Sequence, residues 1–157
     1  MLKINIKNQD LMLMDGKYVI CHCISANCAM GKGVVLPIVK KYTGVKDACL
    51  SFVKNKDING VVGRAFRYSC DAGVVYNLFS KKIFRHKAGY GVTVNQYHTQ
   101  LKSCLEDMRN QMLSNDEKFL AMPQIACGLD RCKWEDVEQI IKDVFEDTGI
   151  EILVCVI

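Results

Sequence analysis

Leu2-Lys3-Ile4-Asn5-Ile6 alternates apolar and polar residues, the two-residue period of a half-buried or edge strand. After a turn at Asp15-Gly16, the mostly apolar run from Tyr18 to Ile24 predicts an interior strand. Val34 to Tyr42 predicts a short helix with Pro37 in or near its first turn, where a missing N–H costs least. A second short helix is predicted from Val45 to Lys54, then strands near Gly63–Ser69 and Val74–Ser80 joined by Asp71-Ala72-Gly73. Lys81 to about Val94 is basic, contains glycine and lacks periodicity, which predicts a loop. Leu101, Cys104, Leu105, Met108 and Met112 recur at helical spacing, and Phe119 to Met122 is a brief buried strand. The last helix carries Val137, Ile140, Ile141, Val144 and Phe145 on one face, acidic residues at its positive end and Gly149 as its stop. Glu151 to Ile157 is a nearly continuous apolar strand.

Strands alternating with helices predict a layered α/β fold with a mixed or largely parallel sheet, in one domain across residues 1–157. Half the residues are apolar and only two are proline, which excludes disordered and collagen-like classes. The excess of 21 Lys and Arg over 17 Asp and Glu suits an anionic ligand but is too small to argue for nucleic acid. Nine cysteines form an odd set without a secretory leader, so a reducing, cytoplasmic compartment is expected, with most thiols acting as small core residues. No apolar run approaches the ~18 residues that span a bilayer.

In such a fold a ligand lies beyond the carboxyl ends of the strands. Two glycine-containing loops have that position: Ser25 through Gly33, and Pro123 through Asp130. Glycine lets backbone N–H groups approach an anion closely, so the pair could grip a diphosphate from both sides. Each could equally be an ordinary turn. Neither matches a P-loop or a Gly-x-Gly-x-x-Gly fingerprint. Cys21, His22, Cys23 and Cys28 superficially suggest a metal site, but the Cys-x-Cys spacing on a strand is not that of structural zinc, and no metal or cofactor is expected. Cys127 beside the second loop has no indicated histidine partner to activate it.

Several segments together resemble the macrodomain family. His22-Cys23-Ile24-Ser25 followed by Cys28-Ala29-Met30-Gly31-Lys32-Gly33 looks like its first ligand loop. Leu78-Phe79-Ser80-Lys81-Lys82 resembles the Leu-x-Thr-Lys-Lys strand end of the branch containing the terminal ADP-ribose protein glycohydrolases. Met122 through Arg131, with Trp134-Glu135 and Val144-Phe145-Glu146 behind it, resembles that branch's second ligand loop and last helix. The similarity runs from about Ile4 to Ile157, and Cys127-Gly128-Leu129-Asp130-Arg131 is its most specific block.

The resemblance implies a three-layer α/β/α architecture with a mixed, largely parallel central sheet. It also implies an enzyme that binds ADP-ribose and removes it from modified targets, glutamate- or aspartate-linked protein first among them. Lys81 falls at the position of the lysine that attacks the anomeric carbon of the distal ribose, and Asp130 at that of the proton-transferring acid or base. Such an amine attacks only when unprotonated, so its pKa must fall from ~10.4. A Lys-Lys pair at a strand end is otherwise a solvated feature, and an Asp before a helix a cap. Strand alternation sends Lys81 and Lys82 to opposite faces.

Asp10 falls where the branch reads adenine, its carboxylate accepting the exocyclic amine and the Leu11 backbone completing the contact, although Asp10 also reads as a turn residue. Ser25 and the backbone of Met30 to Val34 (Met30, Gly31, Gly33 and Val34 in particular) would contact ribose and phosphates. Pro123, Gln124, Ile125, Ala126, Cys127, Gly128 and Leu129 would wrap the diphosphate, and Ile157 matches a terminal leucine near the ligand.

The departures bear on specificity. The Asn-x-Ala-Asn segment of other macrodomains is absent, Gln124 stands where a basic residue often sits, and Asn8-Gln9-Asp10 lacks the usual glycine. Ala126 replaces a glycine and would restrict its loop if φ must be positive there. Ile83 to Asn95 is several residues longer than expected, and its Arg85, His86, Lys87 and Tyr90 suit either a phosphate-bearing or nucleic-acid substrate or a solvated loop. Alternatives are therefore ADP-ribosylated DNA, O-acetyl-ADP-ribose or ADP-ribose 1″-phosphate as substrate, or a reader that binds ADP-ribose without hydrolysis. The expected partners are ADP-ribose and ADP-ribosylated protein, with no membrane and a monomeric chain.

Overall fold

Two largely buried runs of the chain, Val19–Ser25 (β2) and Gly73–Lys81 (β4), lie side by side and parallel in the interior of a six-stranded sheet. The computed structural model describes residues 2–83 and 85–156. The remaining strands are β1 (Lys3–Asn8), β3 (Ala65–Cys70), β7 (Phe119–Met122) and β8 (Glu151–Val156), in the order β1-β8-β7-β2-β4-β3. Only the β3–β4 hairpin is antiparallel. The fold is thus the mixed, mostly parallel α/β sandwich expected from the sequence, and β1, the alternating segment, is an edge strand. Two-residue strands β5 (Lys87–Ala88) and β6 (Gly91–Val92) form a separate ribbon in the segment predicted as loop.

Side-chain alternation along the inner strands feeds two cores. Cys21, Tyr76, Leu78, Leu120 and Val154 face α4 (Val94–Ser114) and α5 (Trp134–Phe145). Ile20, Ile24, Val75, Phe79 and Leu153 face the side of α1 (Val35–Lys41), α2 (Val45–Val53) and the short α3 (Ile58–Val61). Helix α5 buries Val137, Ile141, Val144 and Phe145. Each such side chain contributes roughly 1.5–3 kcal/mol of transfer free energy. The chain leaves α5 at Glu146, before the predicted stop: Asp147 takes a left-handed φ of 60° and Gly149 one of 75°. Pro37 sits in the first turn of α1, as its chemistry requires.

Helix α4 begins well before its periodic apolar face does. Thr93 and Gln96 form a capping box, with the Gln96 N–H donating to Thr93 Oγ1 at 3.0 Å and the Thr93 N–H to Gln96 Oε1 at 2.8 Å. Two additional turns thereby become helical and carry Tyr97 into the core. No described helix is long and apolar enough to cross a membrane.

His22, fully buried on β2, is one of the polar side chains inside the sheet. Its Nε2 lies 2.6 Å from Asn77 Oδ1, while Asn77 Nδ2 donates to the Phe66 carbonyl at 3.1 Å. Asn77 Oδ1 is therefore the acceptor and Nε2 carries the imidazole proton. Burial pushes the His22 pKa from 6.5 down to about 4, against the partial opposition of the Asn77 bond. Between those values the unfolded chain binds a proton that the folded chain refuses, so stability falls as pH drops through this window and is retained above it. Urea unfolding should show the wild type losing about 2 kcal/mol more than His22→Gln between pH 7 and pH 5. Equal losses in the two proteins would contradict the neutral, buried imidazole.

Candidate active site

A break in strand register prepares the site. Ile24 pairs with Phe79, but the next pair is Ser25 with Lys81, which leaves Ser80 as an extra residue in β4. A bulge of this kind suspends the alternation of side chains, so consecutive residues can be aimed at one spot. Ser80 and Lys81 are both buried, whereas Lys82 is exposed, as its opposite facing requires. The Ala26 N–H donates to the Lys81 carbonyl at 2.8 Å and ties the loop after β2 to the end of β4.

Lys81 Nζ donates to Asp130 Oδ1 in a buried ion pair whose side chains are only 10% and 9% exposed. The hydroxyl of Tyr97, reaching in from α4, donates to the other carboxylate oxygen, Oδ2, and lies 3.0 Å from Ser80 Oγ. Burial, foremost, and the nearby Cys23 and Asp130 push the Tyr97 pKa well above 10, so its phenol remains a donor. The Asp130 carbonyl accepts from the Ala88 N–H at 3.0 Å, fastening the β5–β6 ribbon to the same residue. Lysine, carboxylate and phenol thus form one hydrogen-bonded unit drawn from β4, the loop after β7 and α4.

The lysine and carboxylate of this unit line a cleft of about 800 Å³ at the carboxyl ends of β2, β4 and β7, with the buried phenol outside the lining. Of the residues predicted from the sequence, Lys81 and Asp130 line it together with Ser25, Gly31, Gly33, Val34, Pro123, Gln124, Ile125, Ala126, Gly128 and Leu129. Met30 and Leu11, expected to contribute backbone, are not among the lining residues, and their side chains are buried in the core on the side of α1. Cys127 also stands outside the lining, half-buried against the core under α4 and α5. Asp10 lies outside as well and accepts the Met12 N–H at 2.9 Å as the cap of one 3-10 turn, Leu11–Leu13. Ile157 lies outside the described residues.

The sequence reading did not place Tyr97 at all. The Thr93-x-x-Gln96 capping box was the signal that could have put it on a helix, while its approach to Asp130 is purely tertiary. Lys32, Arg131, Lys87 and Arg85 join Lys81 around the cleft, facing Asp130 as the one lining carboxylate among the described residues. Such a field attracts a polyanion and disfavours a neutral ligand.

Backbone conformation marks the same loops. Among the described residues six non-glycine positions have left-handed φ, and Asn55, Asp116 and Asp147 are of types that tolerate it. The other three are Cys28, Ala126 and Arg131, at 58°, 63° and 65°, all in the two loops that flank the cleft. Ala126 therefore holds a glycine-like conformation at the position where the sequence anticipated restriction. Cys132 N–H to the Ala126 carbonyl (2.8 Å) and Arg131 N–H to the Gly128 carbonyl (3.2 Å) close the tight turn that maintains it.

The thiols are chemically quiet. Burial, then Glu135 and Asp136, pushes the Cys127 thiol up to about 11, and burial raises Cys132 to about 12. Both remain protonated at neutral pH, unlike an activated nucleophile. Among the described residues no group of three or more His, Cys, Asp or Glu is arranged to hold a metal ion.

Comparison with known proteins fits this geometry. The Macro domain family profile matches residues 21–141. The ADP-ribose glycohydrolase OARD1 of Bos taurus is 38% identical over 133 residues, covering 85% of this chain and 78% of the relative. The ADP-ribose glycohydrolase OARD1 of Homo sapiens is 37% identical over 135 residues, covering 86% and 79%. Among solved structures, the macrodomain of Mycobacterium tuberculosis DarG superposes with a TM-score of 0.79 at 20% identity, covering 98% of this chain and 97% of that one, a likeness of fold.

The strained loop makes a stability prediction. Arg131 is exposed, so Arg131→Gly removes its left-handed penalty without opening a cavity. The variant should gain about 1 kcal/mol in urea unfolding. A loss of stability would mean that the positive φ is not strained.

Proposed function

The chain belongs to the macrodomain family, and on that premise we propose that it is a hydrolase that binds ADP-ribose in the cleft and cuts it from modified targets, glutamate- or aspartate-linked protein above all. The single observation that carries this reading is the buried contact of Lys81 with Asp130 inside a cationic cleft. The mammalian relatives named above are ADP-ribose glycohydrolases, which supports the same activity here. In the proposed complex the diphosphate lies between the loop Gly31–Val34 and the loop Gln124–Leu129, and the distal ribose rests over Lys81. Leu129, largely exposed above Gly33, closes the opening from the other side.

The chemistry follows from the resting ion pair. Lys81 passes a proton to Asp130 Oδ1, and the freed amine lone pair forms a bond to C1″ of the ribose. The bond from C1″ to the target oxygen breaks, and its electron pair leaves with the target carboxylate. Asp130 releases its proton to that oxygen or to solvent and then accepts one from water as the water attacks C1″. The C1″–N bond breaks with its electrons returning to Lys81. Proton return from Asp130 restores the ion pair. A carboxylate within hydrogen-bond reach of the amine is what lets a normally protonated lysine act in this way.

A second substrate reading rests on the wall made by Arg85, Lys87 and Tyr90, two cations and an exposed aromatic ring beside Lys81. That wall suits ADP-ribosylated DNA, whose backbone supplies phosphates and whose bases stack on an aromatic ring. Activity on DNA exceeding that on protein in parallel assays would favour it.

Calorimetry with free ADP-ribose should give a saturable heat, and its absence at millimolar ligand would end the binding claim. Lys81→Ala should abolish hydrolysis of a glutamate-linked mono-ADP-ribosylated protein while keeping ADP-ribose affinity within about tenfold, ~1.4 kcal/mol. Intact mass spectrometry of the stalled wild-type reaction should find an ADP-ribose adduct on Lys81. Full activity of Lys81→Ala would remove the lysine mechanism, and binding without turnover in the wild type would make the protein a reader.

A further inference from the structure

We propose that Tyr97 is a positioning residue, its hydroxyl held by Ser80 and fixing the Asp130 carboxylate with Oδ1 turned to the Lys81 amine. This deepens the hydrolase reading and rests on it for its kinetic consequences. The geometry is specific. Tyr97 and Ser80 are fully buried, and Asp130 is 7% exposed, so water cannot easily replace either partner. An ionised carboxylate only accepts hydrogen bonds, so the single phenolic proton of Tyr97 is committed to Oδ2. The phenolic oxygen must then accept at its other side, which makes Ser80 Oγ the donor across their 3.0 Å contact. The order Ser80 to Tyr97 to Asp130 therefore has one direction, and Oδ1 is the oxygen that accepts from the lysine.

The two oxygens of an aspartate are equivalent and its side-chain end turns with a broad, two-fold preference, so nothing internal to Asp130 selects the plane in which an oxygen meets Lys81. A rigid donor on a 21-residue helix supplies that selection. The bulge in β4 also acquires a second consequence: the extra residue it accommodates is Ser80, the anchor of the phenol. The same irregularity aims the amine and secures the group that orients its proton acceptor. Proton transfer depends steeply on donor–acceptor alignment, so loss of the phenol should slow chemistry without changing how the diphosphate is held.

Tyr97→Phe keeps the ring and removes one oxygen. With glutamate-linked mono-ADP-ribosylated protein, its kcat should fall about 10- to 100-fold, the scale of a lost hydrogen bond to a charged group. The Kd for ADP-ribose should stay within about threefold, since the phosphate-binding loops are untouched. Ser80→Ala leaves the phenol but frees it, and its kcat should fall about 3- to 10-fold, between the wild type and Tyr97→Phe. A crystal structure of Tyr97→Phe should show the Asp130 carboxylate rotated away from Lys81 or occupying two orientations.

A kcat within twofold of wild type, or a parallel loss of kcat and ADP-ribose affinity, would overturn the inference and leave Tyr97 as a packing residue. Should Tyr97→Phe not fold, Ser80→Ala decides alone: reduced kcat at unchanged Kd supports the relay and unchanged kcat overturns it. Should the wild type hydrolyse no conjugate, the hydrolase reading fails by itself. The crystallographic comparison then still decides the positioning role, which an unmoved Asp130 carboxylate would refute.

Discussion

A cationic amine and a carboxylate meet at the carboxyl end of this sheet with almost no water around them, in the contact between Lys81 and Asp130. Taking both charges out of solvent is expensive, and a pair of apolar residues of similar volume would often be as stable or more so. The pair therefore makes little sense as a stabilising device and good sense as a functional one. Much of the surrounding structure serves to hold it. The bulge at Ser80 aims the amine, the Ala88 N–H secures the Asp130 backbone, and Tyr97 occupies the carboxylate oxygen that the lysine does not.

The walls of the cleft carry a second kind of cost. Glycine could adopt the left-handed backbone at positions 28, 126 and 131 freely, yet the chain places cysteine, alanine and arginine there. Strain of this sort persists only where neighbouring structure over-determines it. Here the determinants are backbone hydrogen bonds inside the turn from Ala126 to Cys132 and, for Cys28, the turn its N–H closes on the Ser25 carbonyl. The result is two loops preorganised to face each other across an electropositive gap. A rigid site of that kind binds a dianionic ligand with little further ordering, which is the physical content of preorganisation.

The chain's own alternation and clustering of apolar residues made most of the fold legible. Strand β7 lies where Phe119 to Met122 predicted it, and β2, β4 and the body of α5 follow their apolar runs closely, because burial on both faces or on one stripe leaves a clear trace in composition. The aperiodic segment after Lys81 was harder. Its two-residue strands are too short to show alternation, and the start of α4 is polar, announced only by the Thr93–Gln96 capping box. Tyr97 was lost with that helix start. Cys127 and Met30, chosen for their place within glycine loops, pack their side chains on opposite cores, a choice of side that the loop sequence does not reveal.

Sequence alone determined that the chain builds a layered α/β sheet and that two glycine-bearing loops flank its carboxyl edge, and its resemblance to the macrodomains singled out Lys81 and Asp130 as the pair to test. These follow from local patterning and from short motifs, which survive in one dimension. Tertiary structure decided the rest: that one extra residue in β4 brings Ser80 and Lys81 to the same side, that Asp130, 49 positions on, meets the Lys81 amine, and that Tyr97, 16 positions on, meets that same carboxylate. It also set the side of the core to which each loop's thioether or thiol turned. Register and convergence depend on hydrogen bonds between strands and on packing between layers, and no local pattern encodes those distances.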